Sequence, residues 1–238
     1  MAVPSFVGVG GTDQTEVTGP THVASIAVDD TMFPAGTLAD DLVIFVGVAR
    51  IPSRSTGTHG LQSFTMPAGF TNLSPPSAKT SLTLAPFGPH EVGGGNYRRQ
   101  VDMCAIRAGD FTPGSFTWTG FTNTLALPLW AGITCLAVRV GPGYYQAAEN
   151  LLSGPTFHGF GGEPSVPPTG TFAWPAYDQI YLRLLTTSIY PEGDDLDVAV
   201  AGGWTEHAQI VMQPTYPYTR LTIASIARPA SDAGATTD

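Results

Sequence analysis

The sequence predicts an all-β protein, an antiparallel β-sandwich built of two related halves. Three observations predict it. The apolar runs are short and rich in β-branched residues, which suits buried strands better than helices. Glycine (28) and proline (21) are abundant in 238 residues while charged residues make up only 12%, the composition of short strands joined by many turns. A strand–loop–glycine-aromatic-threonine–strand unit occurs twice.

The first copy opens at Asp40-Asp41 with Leu42 to Ala49, a continuous apolar run ending at Arg50. A polar loop leads to Pro67-Ala68-Gly69-Phe70-Thr71-Asn72, a turn signal before another strand. The second copy opens at Asp178 with Ile180 to Leu185 and reaches Ala201-Gly202-Gly203-Trp204-Thr205-Glu206. Downstream of each lies a third match. Tyr97-Arg98-Arg99 leads to Ala105-Ile106-Arg107-Ala108, and Tyr218-Thr219-Arg220 leads to Ser225-Ile226-Ala227-Arg228. Two copies are too few for a solenoid, whereas two half-units folded face to face make one sandwich.

Taken in order, Phe6 to Gly11 is a short apolar start broken by glycines. His22 to Val28 alternates as a strand. Asp29-Asp30 and Phe33 to Gly36 turn the chain into the Leu42 strand, and Ile51 to Gly60 is a polar loop. Leu73 to Glu91 carries Pro75, Pro76, Pro86 and Pro89, a density that excludes a central strand. After the Gly93-Gly94-Gly95 joint comes the Tyr97 strand, and Phe111 to Trp118 surrounds a Pro113-Gly114 turn. Asn123 to Trp130 and Gly132 to Val140 read as two strands. Pro142 to Leu152 is the helix-like piece, with room for one turn. The halves are expected at about 20–141 and about 165–238, joined by the Gly/Pro-rich stretch Phe157 to Pro168 in a single domain, because each half alone would leave one sheet face bare. The polar tail Ser231 to Asp238 frays or pairs loosely.

The motifs Ala39-Asp40-Asp41, Pro67-Ala68-Gly69-Phe70-Thr71, Ala137-Val138-Arg139-Val140-Gly141, Gly203-Trp204-Thr205 and Ala233-Gly234-Ala235-Thr236 follow one another along the chain. In this order the sequence resembles a family of bacteriophage virion proteins with jelly-roll-like domains in tails, fibres and capsid surfaces. The resemblance runs from about Ile26 to the end. It implies a jelly-roll-like antiparallel β-sandwich and a virion setting, and it carries over no catalytic residues.

The net charge is −9 and Lys79 is the single lysine. Nucleic-acid binding needs clustered Lys and Arg, so no nucleic-acid partner is expected. No apolar stretch reaches the ~18 residues of a membrane span, so no membrane insertion is expected. Met1 to Ser5 shows no basic region followed by a hydrophobic segment, the mark of a signal peptide, so synthesis in the host cytoplasm is expected. Cys104 and Cys135 both lie in apolar runs, which fits two buried free thiols; a disulfide between neighbouring strands is the alternative.

The acidic loop Glu192 to Asp197 offers Asp194, Asp195 and Asp197 as oxygen ligands for Ca²⁺. It lacks EF-hand spacing, and its ordinary reading is a solvated hairpin tip. Asp40 or Asp41 with Asp178 would be the acids for glycosidase chemistry, but as equivalent positions in the two copies they read as strand-entry residues. His22, His59, His90, His158 and His207 show no metal-ligand spacing, and neither a Gly-x-Ser-x-Gly elbow nor a phosphate loop occurs. Aromatics concentrate after residue 110. Trp118, Trp130 and Trp204 suit the core, while Tyr144, Tyr145, Tyr190 and Tyr216 lie in loop-like contexts suited to an interface or a glycan.

These readings converge on a non-enzymatic virion structural protein on the particle exterior, a capsid decoration subunit or a minor tail component. Its expected partners are other virion proteins and further copies of itself, with no cofactor. The alternative is an adhesin module that binds a host-surface glycan through loop aromatics.

Overall fold

The computed structural model describes residues 4–18, 23–53, 61–72, 96–120, 129–140, 172–173, 179–189, 203–213, 218–228 and 236–237. Thirteen strands are found there: β1 (Ser5–Val17), β2 (Val23–Val28), β3 (Leu42–Ser53), β4 (Leu61–Thr65), β5 (Thr71–Asn72), β6 (Asn96–Arg107), β7 (Gly114–Gly120), β8 (Leu129–Arg139), β9 (Phe172–Ala173), β10 (Gln179–Ile189), β11 (Thr205–Gln213), β12 (Tyr218–Arg228) and β13 (Thr236–Thr237). Short 3₁₀ turns at Asp30–Met32 and Ala108–Asp110 complete the described elements. The fold is an all-β antiparallel sandwich.

The first unit closes a jelly roll by itself. Its strands pair β1 with β8, β2 with β7 and β3 with β6, all antiparallel. They spread over a five-stranded sheet, β1-β8-β3-β6-β5, and a three-stranded sheet, β2-β7-β4. Winding eight strands as nested antiparallel pairs produces this order, with consecutive strands alternating between the sheets. The departure is β5, two residues long, which pairs with β6.

The five-stranded sheet is covered on both faces. Val43, Phe45, Cys104, Ile106, Ile133 and Cys135 project to one side and pack with Ala24, Ile26, Phe116 and Trp118 of the three-stranded sheet. The alternate residues Leu42, Ile44, Val46, Met103, Leu136 and Val138 project to the other side and pack with Leu221 and Ile223 of β12. This second core joins the first unit to the sheet β10-β12-β11. The related units therefore stack face to face as the sequence predicts. What the repeat did not disclose is that the first unit already holds a sandwich, so that the second adds a third layer.

The internal repeat is visible in register. Val43 lies opposite Ile106 and Thr71 opposite Ala105. Tyr181 lies opposite Ile226 and Thr205 opposite Ser225. Gly69 and Gly203 both take left-handed φ, +88° and +84°, a conformation that favours glycine at these corners. A Cβ at Gly69 would lie 3.5 Å from Ile106 Cδ1, and one at Gly203 would lie 3.8 Å from Ile226 Cδ1. Thus β3, β5 and β6 correspond to β10, β11 and β12, with β6 and β12 central in each triplet. Strands β9 and β13 form a separate two-stranded antiparallel pair, with Thr236 opposite Ala173.

Three element boundaries differ from the sequence expectation. The expected break between Trp130 and Gly132 does not occur: β8 runs unbroken from Leu129 to Arg139, with Gly132 in register with Val48 on one side and Gln14 on the other. Strand β1 extends through Gly8, Gly10 and Gly11 to Val17. A side chain at Gly10 would overlap the Met32 carbonyl and Cys135 Sγ, so close approach explains this glycine. Ile51 to Ser53, expected in a loop, continues β3. The helix-like Pro142 to Leu152, the Leu73 to Glu91 stretch and the Phe157 to Pro168 connection lie outside the described residues.

One close approach ties the two sheets of the jelly roll. The Trp118 indole from β7 lies against Gly47 of β3, where any side chain would collide with it. Its Nε1 donates to Asp102 Oδ2 on β6 at 2.9 Å, and both residues are buried. Gly47 and Asp102 are cross-strand partners, so the indole spans two strands of the facing sheet. A Gly47→Ala variant is expected to lose about 1–3 kcal/mol through overpacking. Urea unfolding followed by Trp fluorescence measures it, and an unchanged midpoint would show that the indole tolerates displacement.

Candidate functional site

Asp41 ends the turn that starts β3. Its carboxylate is almost fully buried and accepts from Arg139 Nε at 3.1 Å and Arg139 Nη2 at 3.0 Å. It also accepts from the Leu38 backbone N–H at 2.8 Å. Arg139 Nη2 donates further to the Gly36 carbonyl at 2.8 Å. The bidentate fork holds the end of β8 to the entrance of β3. Hydrogen bonding to Asp41, reinforced by its charge, raises the already high Arg139 pKa, so the guanidinium stays charged. Asp40 beside it is exposed. Asp178, the acid that would pair with Asp40 or Asp41 across a sugar, lies outside the described residues. Asp41 is thus a strand-entry residue, engaged in holding the fold.

A second polar cluster lies between the layers. The His207 ring of β11 stacks on Phe6 of β1, with centroids 3.6 Å apart and planes 11° from parallel. Its Nε2 shares a hydrogen bond with Ser225 Oγ of β12 at 2.6 Å. A histidine bonded to a serine is the contact a nucleophilic pair needs. Here Ser225 is only 5% exposed, and the imidazole lies flat against an apolar ring. The arrangement fastens the third layer to the edge of the jelly roll. Desolvation lowers the His207 pKa from its ordinary 6.5, so burial favours the neutral ring. The sequence offered a signal for this contact only in His207 following the second Gly-aromatic-Thr corner; nothing local connected it with Phe6.

The cysteines are free and buried. Both lie opposite Phe45, on the two strands flanking β3. Two strand spacings place them about 9–10 Å apart, beyond the ~7 Å limit for bridging Cα atoms. Burial, and then the nearby Asp102 charge, raises the Cys104 pKa. Burial pushes that of Cys135 up to about 12, against the lowering effect of a backbone hydrogen bond. Cys135 Sγ donates to the Met32 carbonyl at 2.8 Å.

Of the aromatic candidates, Trp118 and Trp130 belong to the cores, and Trp204 is half-buried at the second Gly-Trp-Thr corner. The interface or glycan candidates Tyr144, Tyr145, Tyr190 and Tyr216, and the Ca²⁺ candidates Asp194, Asp195 and Asp197, lie outside the described residues. Among the described residues no three His, Cys, Asp or Glu side chains group as metal ligands, and no helix is long and apolar enough to cross a membrane. Comparison with known proteins finds no match to a family model, a curated protein or a solved structure.

Two solution tests follow from these environments. Neither thiol is expected to react with Ellman's reagent at pH 8 in the folded protein, while both react in urea without reductant. A single reactive thiol, or none in urea, would contradict free buried cysteines. The lowered His207 pKa means that the unfolded chain binds the proton more readily than the folded one. Stability is therefore unaffected by this group well above pH 6.5 and falls as pH drops below it toward the lowered folded value. Comparing urea midpoints between pH 7.5 and about 5, above most carboxylate titrations, should show a smaller loss for His207→Gln than for the wild type.

Proposed function

We propose that this protein is a non-enzymatic virion structural protein of a bacteriophage, carried on the particle exterior as a capsid decoration subunit or minor tail component. It binds other virion subunits and further copies of itself. The observation that carries this reading is a jelly roll with a copy of its β3-β6-β5 triplet stacked on its outer face within one chain. Such stacking builds broad surfaces from folding elements, and jelly rolls serve viral capsids and lectins alike. The motif order resembling phage virion proteins supports the virion setting.

The residues that competing readings would require also bear on the choice. Asp41, offered for glycosidase chemistry, is closed by the Arg139 guanidinium and the Leu38 backbone N–H. Trp118 and Trp130, which an exposed glycan platform could have used, are buried. The low charge content and net charge of −9 suit an exterior protein that packs against other subunits without binding packaged nucleic acid.

Mass photometry of the protein alone, and mixed with capsids or tails that lack it, tests the proposal. Saturable binding at fixed stoichiometry is expected. A high copy number would assign it to the capsid surface, and a low one to the tail. No binding to either particle overturns the virion reading. Trp quenching by a host glycan under the same conditions would establish the adhesin alternative.

A further inference from the structure

We draw no further inference here: the strongest candidate, the uncharged serine- and threonine-bearing outer face of the β2-β7-β4 sheet, where the exposed Ser25 and Thr65 flank Thr117 across the strands, carries nothing because nothing in the structure shows what covers it.

Discussion

Leu42 to Ala49 of β3 and Leu129 to Val138 of β8 have no solvent face, and the rest of the structure follows from covering them. Every residue from Asp41 to Ala49 is buried, as is every one from Leu129 to Val138. A sheet covered on both sides needs two further layers. The chain supplies one from β2, β7 and β4, and the other from β10, β12 and β11. Burying each large aliphatic side chain contributes roughly 1.5–3 kcal/mol. The apolar contacts therefore dominate the stability, while the half-exposed Asp41–Arg139 pair mainly fixes where β3 begins.

Polar groups inside this construction mark the joins between layers. Asp102 takes the Trp118 indole N–H where the two jelly-roll sheets meet, and Gly47 removes the side chain that would keep the ring away. Ser225 engages His207 where the third layer meets β1. A buried hydrogen bond tolerates little displacement, because separating its partners leaves polar groups without water. Each therefore fixes a relative position that apolar packing alone would leave looser.

The duplicated unit connects architecture with the proposed role. Repeating a jelly-roll element and laying the copy over the outer face of the first thickens the molecule without a second complete domain. The copy retains counterparts of β3, β5 and β6. Strands β1 and β8 complete the first sandwich but have no counterpart among the described residues of the copy. Strand β10 accordingly lies at the edge of its sheet among the described residues.

Much of the fold was legible in the sequence because its signals are local. Short β-branched runs marked β3, β8, β10 and β12. The matching Pro-Ala-Gly-Phe-Thr and Ala-Gly-Gly-Trp-Thr corners disclosed the repeat, and the strand register agrees at Val43–Ile106 with Tyr181–Ile226 and at Thr71–Ala105 with Thr205–Ser225, while Tyr97 and Tyr218 fall one position apart. Asp41 was legible as a strand-entry residue, and Cys104 and Cys135 as buried thiols. The layer count was not legible. A strand buried on both sides loses the alternation that would assign its residues to faces, so Val43 and Ile44 look alike in the sequence while entering different cores. The polar contacts were hidden for a related reason: Arg139 is 98 residues from Asp41, and Phe6 meets His207 from the opposite end of the chain. By itself the sequence determined strands, turns and their duplication, because these depend on neighbouring residues. Only the tertiary structure decided which face each strand covers and which distant side chains meet, because those depend on how the sheets stack.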